Sequence, residues 1–267
     1  GDGVANSRRL LPRNLNSTTY QTVASGYDHT CAINSANQLY CWGYNINGQL
    51  GDGTTPHRLP PMQIDGGNTY TKVSTGKYTT CGITTAGQLK CWGYNTNGQV
   101  GDGTAINRTA PVVIDSGTNY ADVSVGDMRT CGVTTAGVAK CWGKNISFLL
   151  ATGGATTQTT PYVVDSGTNY QQISVLTHVC GVTIANQVKC WGDNVYGQLG
   201  RGNTVASGIP TVVNGGATYS KIAVGDGHSC AVATDGALRC WGRNAIHQVD
   251  SSGLNRLDPT VIHSGTS

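Results

Sequence analysis

Short runs of alternating apolar and polar residues, separated by glycine-rich stretches, follow one another along the whole chain. Within residues 70–114 they fall around Tyr70–Ser74, Thr80–Ile83, Leu89–Trp92 and Pro111–Ile114. Such alternation is typical of β-strands, because successive side chains of a strand point to opposite faces. No segment shows the period of an amphipathic helix. The pattern therefore predicts an all-β protein built from short strands.

The second and third strands of each unit are joined by a three-residue turn that ends in glycine or asparagine. These two residue types adopt the left-handed backbone conformation most easily, and this type of hairpin requires that conformation at its last turn position. The pattern predicts five hairpins. Their last turn residues are Asn37, Gly87, Gly137, Asn186 and Gly236.

The strand pattern repeats with a period of fifty residues. Tryptophan recurs within Cys-Trp-Gly at Trp42, Trp92, Trp142, Trp191 and Trp241, with a single one-residue deletion. A period of this length in a β-rich chain is typical of propeller blades. We predict one β-propeller domain over residues 1–267, made of four-stranded antiparallel blades. Residues 1–19 would be a partial repeat, and the full repeats would span about 20–69, 70–119, 120–169, 170–218 and 219–267.

Ten cysteines form five pairs with one spacing, each centred on a hairpin turn. The pairs are Cys31 with Cys41, Cys81 with Cys91, Cys131 with Cys141, Cys180 with Cys190, and Cys230 with Cys240. Residues equidistant from a hairpin centre face each other closely enough for a disulfide. Zinc is the alternative, although zinc sites prefer cysteines two to four residues apart and four converging ligands. Five disulfides indicate an oxidising compartment, which predicts a secreted or cell-surface protein.

The two faces of each hairpin both carry large side chains, which is expected of a blade packed between two others. We therefore expect the tryptophans to be packing residues rather than ligand-stacking residues. In the second repeat one face carries Cys81, Ile83, Leu89 and Cys91, and the other carries Gly82, Lys90 and Trp92.

Composition and motifs exclude several functional classes. Charged residues make up 12% of the chain and the net charge is +3, with Lys and Arg scattered, so no nucleic-acid surface is predicted. No apolar run is long enough to span a membrane. No repeat assembles a nucleophile, a base and an acid, and the Gly-Asp-Gly-Thr segments lack the features of phosphate or calcium loops. We predict a non-enzymatic protein without cofactor or metal.

The segment from Cys41 to Thr54, Cys-Trp-Gly-Tyr-Asn-Ile-Asn-Gly-Gln-Leu-Gly-Asp-Gly-Thr, recurs almost unchanged from Cys91 to Thr104. It resembles an RCC1 repeat, and the paired cysteines make the chain similar to secreted bacterial members of that family. The resemblance implies an RCC1-like β-propeller. One eukaryotic relative exchanges nucleotide on a small GTPase through a wedge-like insertion, for which these uniform repeats leave no room. Other relatives inhibit enzymes or serve as interaction platforms.

Three groups of residues are candidates for contact with a ligand or another molecule. The residue two positions before the first cysteine of each pair would form a ring around the propeller axis. From this ring His29, Arg129, His178 and His228 are candidates for binding an anion, a sugar or a protein loop, with structural hydrogen bonding within the blade as the alternative. Phe148, Leu149 and Leu150 replace a glycine-rich connection and form a candidate contact patch, unless they pack against a neighbouring blade.

The third group lies at the beginning of the chain, where Gly1-Asp2-Gly3 matches Gly51-Asp52-Gly53. The following Leu10, Leu11, Pro12 and Leu15 would form a spare strand that pairs with another copy or with upstream repeats. Head-to-tail pairing that does not close builds a filament. The chain could equally be part of a longer seven-bladed polypeptide. Glycosylation sequons occur at Asn16, Asn107 and Asn145.

These features predict an extracellular or cell-surface scaffold that assembles with itself or binds another macromolecule. The alternative is a soluble ligand-recognition propeller, lectin-like or inhibitor-like, that acts through rim loops. The expected partners are a protein or a glycan, and further copies of the chain.

Overall fold

A computed structural model of the chain describes residues 18–146 and 157–263. These residues form five four-stranded antiparallel sheets, each with its strands in chain order, so the prediction of an all-β propeller with five blades is confirmed. The described secondary structure consists of strands, and it contains no helix long and apolar enough to cross a membrane.

Each blade takes four consecutive strands. Blade 1 contains β1 (Tyr20–Ser25), β2 (His29–Asn34), β3 (Leu39–Gly43) and β4 (Arg58–Ile64). Blade 2 contains β5 (Tyr70–Thr75), β6 (Thr79–Thr84), β7 (Leu89–Gly93) and β8 (Arg108–Val113). Blade 3 contains β9 (Tyr120–Val125), β10 (Arg129–Thr134), β11 (Ala139–Gly143) and β12 (Gln158–Val163). Blade 4 contains β13 (Tyr170–Val175), β14 (His178–Thr183), β15 (Val188–Gly192) and β16 (Ser207–Val212). Blade 5 contains β17 (Tyr219–Val224), β18 (His228–Ala233), β19 (Leu238–Gly242) and β20 (Arg256–His263).

The central hairpin of every blade has the predicted turn and the predicted disulfide. The last turn residues have positive φ in all five blades: Asn37 61°, Gly87 82°, Gly137 82°, Asn186 59° and Gly236 87°. The two cysteines of each pair lie directly opposite each other with their Cα atoms 4.1 Å apart, and all ten are disulfide-bonded. The five disulfides are therefore confirmed, and the cysteines are not zinc ligands.

Neighbouring blades pack the cysteine face of one sheet on the tryptophan face of the next. Cys81 and Leu89 of blade 2, for example, share a buried cluster with Val123 and Trp142 of blade 3. The indole Nε1 of Trp142 also donates a hydrogen bond of 3.0 Å to the carbonyl of Gln99 in blade 2. The tryptophans of blades 2 to 5 are fully buried, as predicted for packing residues.

The first strands of consecutive blades are neighbours, so they form the inner wall around the propeller axis. The connections that follow these strands approach one another closely. A Cβ atom at Gly76 would collide with the carbonyl of Gly126 in the next blade. Glycine is required at this point because two backbones meet there. The starts of β6 and β10 are thereby held close together near the propeller axis.

The fifth blade does not cover the first. Val23 of blade 1 is 65% exposed, whereas its counterparts Val73, Val123, Ile173 and Ile222 are 3–5% exposed between blades. We call the surface of blade 1 that blade 5 does not cover, made of Val23, Tyr40 and Trp42, the leading face. At the other end Cys230, Val232 and Leu238 are half-buried although their counterparts are fully buried, and we call them the trailing face. The described blades form an open arc.

Candidate functional site

The axial histidines lie at junctions between blades. His29 Nε2 lies 2.9 Å from the hydroxyl oxygen of Thr80 in blade 2, and His178 Nε2 lies 2.6 Å from that of Ser229 in blade 5. Both imidazoles are buried. Their hydrogen bonds therefore link one blade to the next instead of remaining within one sheet.

Burial changes the protonation of both rings. Burial lowers the pKa of His29 to about 4, and burial together with the charge of His228 lowers the pKa of His178 to about 3. Both imidazoles are neutral at pH 7, because loss of hydration disfavours the charged form. In this state they hold the blades together and do not supply positive charge for an anion.

Arg129 and His228 have different surroundings. Arg129 Nη1 donates a hydrogen bond of 2.7 Å to the carbonyl of Leu176 in blade 4, and burial lowers the pKa of its guanidinium to about 10. With Met128, Ile146 and Leu176 it lines a cavity of about 250 Å³ between blades 3 and 4. His228 is half-buried, and its Nδ1 has no hydrogen-bond partner among the described residues.

Aromatic rings are concentrated at the same axial end, on blades 1 and 2. Tyr78 is the central ring: its centroid lies 5.8 Å from that of Tyr44, 6.4 Å from that of Tyr27 and 6.4 Å from that of Tyr94. The ring of His57 stacks on Tyr44 at 4.7 Å. We call Tyr27, Tyr44, Tyr78, Tyr94 and His57 the tyrosine cluster. It includes exposed surface, since Tyr27 is 71% exposed.

Backbone hydrogen bonds fix the main chain at Tyr44 and Tyr94. Tyr44 and Tyr94 directly follow the Cys-Trp-Gly segments, and their N–H groups donate to the carbonyls of Asp28 and Tyr78, each at 2.8 Å. Tyr27 and Tyr78 lie in the connections between the first and second strands of their blades. The Nζ atom of Lys77 lies 5.2 Å from the centroid of Tyr27 and 5.5 Å from that of Tyr78. The cluster is thus an ordered aromatic surface with one adjacent cation.

The repeat and the architecture are shared with known proteins. The family described as "Regulator of chromosome condensation (RCC1) repeat" matches residues 37–83, 86–133 and 186–232, more than half of the chain. The chain belongs to the RCC1-repeat family. A second repeat pattern of the same description matches 20–49, 70–99 and 219–248. The similarity to secreted bacterial RCC1-repeat proteins stays a prediction.

Three solved structures illustrate the fold that these RCC1 repeats build. Human WBSCR16 has a TM-score of 0.80 at 21% identity, over 96% of this chain and 70% of that chain. Saccharomyces cerevisiae Prp20p has a TM-score of 0.79 at 18% identity, over 91% of this chain and 63% of that chain. The ectodomain of the Arabidopsis thaliana receptor kinase ACR4 has a TM-score of 0.54 at 20% identity, over 84% of this chain and 68% of that chain. At these identities the similarity shows the fold.

In sequence, the chain is similar to a segment of the human "Probable E3 ubiquitin-protein ligase HERC4". The identity is 39% over 57 residues, which are 20% of this chain and 5% of HERC4. The match therefore concerns single RCC1 repeats and not the remainder of that protein.

The tyrosine cluster was not among the residues proposed from the sequence. The position of Tyr44 and Tyr94 is occupied by Lys144, Asp193 and Arg243 in the other repeats. Comparison of the repeats at the residue after Cys-Trp-Gly would have revealed this difference. It would not have revealed that Tyr78, fifty-one residues after Tyr27, joins the same surface.

Several candidates from the sequence lie outside the described residues. They are Leu10, Leu11, Pro12, Leu15 and Asn16, and the patch Phe148, Leu149 and Leu150. The side chain of Asn145 is 1% exposed, which is unfavourable for attachment of a glycan to the folded chain. The sequon at Asn107 stays a prediction. Within residues 18–146 and 157–263 no group of three or more His, Cys, Asp or Glu side chains could hold a metal ion.

Proposed function

We propose that this RCC1-repeat protein is a non-enzymatic extracellular scaffold that binds a segment of another protein on the tyrosine cluster. The observation that carries the proposal is the concentration of four tyrosines and a histidine on blades 1 and 2, at positions where blades 3 to 5 carry no aromatic residue. The fold does not require these rings, because blades 3 to 5 form without them.

Tyrosine suits a protein-binding surface. Its ring offers a large apolar area at a low cost in side-chain entropy, and its hydroxyl forms hydrogen bonds at the edge. The rings of the tyrosine cluster pack on one another and the main chain at Tyr44 and Tyr94 is fixed by hydrogen bonds, so little ordering is needed when a partner binds. The solved structure of Prp20p is described with its binding properties to Gsp1p and histones, which supports protein binding by a propeller of this fold.

An extracellular location is supported by the disulfides. Five buried or half-buried disulfides, one per blade, suggest an oxidising environment outside the reducing cytosol. The similarity to a receptor-kinase ectodomain shows that a related fold occurs as part of an ectodomain. We therefore place the function at the cell surface or in the secreted fraction.

A phage-displayed peptide library, selected on the wild-type protein, tests the binding proposal. Tyr78→Ala removes the ring that contacts three others, and we expect it to weaken the selected peptides at least about tenfold, as for an interface hot spot. Tyr162→Ala, which removes a tyrosine 44% exposed on β12 outside the cluster, is the matched control. Equal peptide affinity for both variants would refute the proposal. Binding of glycans alone, lost in Tyr78→Ala, would replace it with the lectin-like alternative.

Self-association is the second candidate function, and the exposure of the leading face favours it. Val23 is 65% exposed at a position where each of the other four blades buries an apolar residue against its neighbour. Four interfaces within the chain already pack such a face against a cysteine face. Sedimentation velocity over a range of concentrations tests whether the cysteine face of a second copy packs on the leading face.

A further inference from the structure

Three of the four junctions between blades contain the same bridge of tyrosine, aspartate and lysine. Asp65, at the end of blade 1, accepts hydrogen bonds at Oδ2 from the hydroxyl of Tyr70 at 2.6 Å and from Nζ of Lys90 at 2.7 Å. Asp115 is bonded in the same way by Tyr120 and Lys140, at 2.7 and 2.6 Å. Asp165 is bonded by Tyr170 and Lys189, at 2.6 and 2.8 Å.

The junction between blades 4 and 5 keeps the phenol and the cation of this bridge but not the carboxylate. Tyr219 and Arg239 occupy the tyrosine and lysine positions, and Asn214 occupies that of the aspartate. Asn214 directs its amide elsewhere: Nδ2 donates to Oδ1 of Asp258 at 2.7 Å. The three aspartates have φ of 53–54°, whereas in this connection the positive φ values are those of Gly215 and Gly216. The different backbone carries the Asn214 side chain away from Tyr219.

Two buried polar groups consequently lack partners. Tyr219 is fully buried, and its hydroxyl has no hydrogen bond among the described residues. The same holds for Nε of Arg239. A buried polar group without a hydrogen bond destabilises the fold, so its retention suggests a ligand.

The charge of Arg239 acts on the phenol of Tyr219, and a protonated phenol beside a cation suits a carboxylate ligand. Burial raises the pKa of Tyr219, the charge of Arg239 lowers it, and the charge of Asp235 raises it. The phenol therefore remains protonated and able to donate at pH 7. Asp235 is the acidic residue nearby, but its Oδ1 accepts a hydrogen bond from the N–H of Ala237 at 2.9 Å.

The aspartate position is accessible from solvent in the three complete bridges. In the complete bridges the side chains of Asp65, Asp115 and Asp165 are 20%, 25% and 18% exposed. By analogy, the equivalent position in the fourth junction is where a carboxylate from outside the blade would enter, beside the buried hydroxyl of Tyr219. Arginine in place of lysine also suits an untethered ligand, because its fork of N–H donors can bind both carboxylate oxygens.

We propose that Tyr219 and Arg239 form a binding site for an external carboxylate group, which takes the place held by an aspartate in the other three junctions. The phenol donates to one oxygen of the ligand and the guanidinium binds it as an ion pair. This site lies at a blade junction and is separate from the tyrosine cluster.

NMR of the arginine Nε–H resonances, with sodium acetate as the probe, tests the proposal on the intact chain. Arg239→Lys identifies the resonance of Arg239. We expect acetate to shift it in a saturable manner, and Tyr219→Phe to weaken acetate binding about tenfold, the value for one hydrogen bond to a charged group. Tyr170→Phe, which removes the same hydroxyl from a complete bridge, should leave acetate binding unchanged. Equal shifts with chloride and sulfate, or equal affinity in Tyr219→Phe and wild type, would overturn the proposal.

A loop exchange provides an independent test. Asn214→Asp, Gly215→Ser, Ala217→Thr and Thr218→Asn together give blade 5 the connection of Asp165, which places an internal carboxylate beside Tyr219. This variant should no longer respond to acetate, and a response equal to that of wild type would contradict the proposal.

A Glu-containing tripeptide and a dilution series of the protein distinguish the possible sources of the carboxylate that binds at Tyr219 and Arg239. A tripeptide that binds more tightly than acetate indicates a protein-borne carboxylate, and a shift that disappears on dilution indicates one from a second copy.

Discussion

His178 is the most deeply buried of the axial residues, and its environment predicts a pH dependence of stability. Burial and the charge of His228 lower its pKa to about 3, whereas histidine in an unfolded chain has a pKa of about 6.5. Between these values the unfolded chain binds a proton that the folded chain does not. The free energy of unfolding therefore decreases as the pH falls through this window, by up to about 1.4 kcal/mol per pH unit for one histidine.

The variant His178→Gln should show a smaller decrease between pH 6.5 and pH 4 than the wild type, because it lacks the titrating group. At pH 7 it should be less stable by about 1 kcal/mol, since the bond to Ser229 is altered. Urea unfolding with the disulfides intact measures both effects. His247→Asn is the control: His247 is exposed, and asparagine tolerates its φ of 61°. Parallel pH profiles of His178→Gln and wild type would show that His178 does not titrate in this range.

At the level of the hairpin, each disulfide closes a short loop of the same length in all five blades. Replacing Cys131 and Cys141 by alanine should lower the free energy of unfolding by about 3 kcal/mol from chain entropy alone, with a further loss from the cavity left in the buried cluster. Replacing Cys230 and Cys240 should cost less, because Cys230 is only half-buried on the trailing face. Urea unfolding of the two double variants measures the difference. Equal losses would show that packing of the sulfur atoms contributes little.

The hairpins could be predicted from the sequence because their determinants are local. Asn37 and Gly87 define the turns, and a separation of ten residues places each cysteine opposite its partner. The bridges between blades could not be predicted in this way. Asp65 and Lys90 belong to different blades and meet only once the blades are stacked. The tyrosine cluster was missed for the same reason, since Tyr27 and Tyr78 lie in separate repeats and neither position follows the repeat consensus.

At the level of the whole molecule, the two ends of the arc present the two kinds of face that pack together at every internal junction. Each internal junction combines a tryptophan face with a cysteine face, and the leading and trailing faces present one of each. The trailing face differs from the cysteine face of blade 1 in one respect. In blade 1 the next blade's Trp92 packs against Gly51, and blade 5 has no glycine at the equivalent position. Docking of one copy on another should therefore be weaker than packing within the chain. Head-to-tail contacts that do not close produce a filament.

The variant Val23→Glu places a charge at the centre of the leading face, where burial of an unpaired carboxylate is strongly unfavourable. We expect the wild type to associate reversibly as concentration rises and Val23→Glu to remain monomeric in sedimentation velocity. Val205→Glu, at a valine 69% exposed in a connection, is the matched control and should associate like the wild type.

Leu238→Asp on the trailing face should also be monomeric alone, yet form dimers when mixed with Val23→Glu, because each variant retains one intact face. Such complementation arises only from a head-to-tail contact. Persistent association of Leu238→Asp alone would indicate a symmetric contact between two leading faces, and a monomeric wild type would exclude self-assembly.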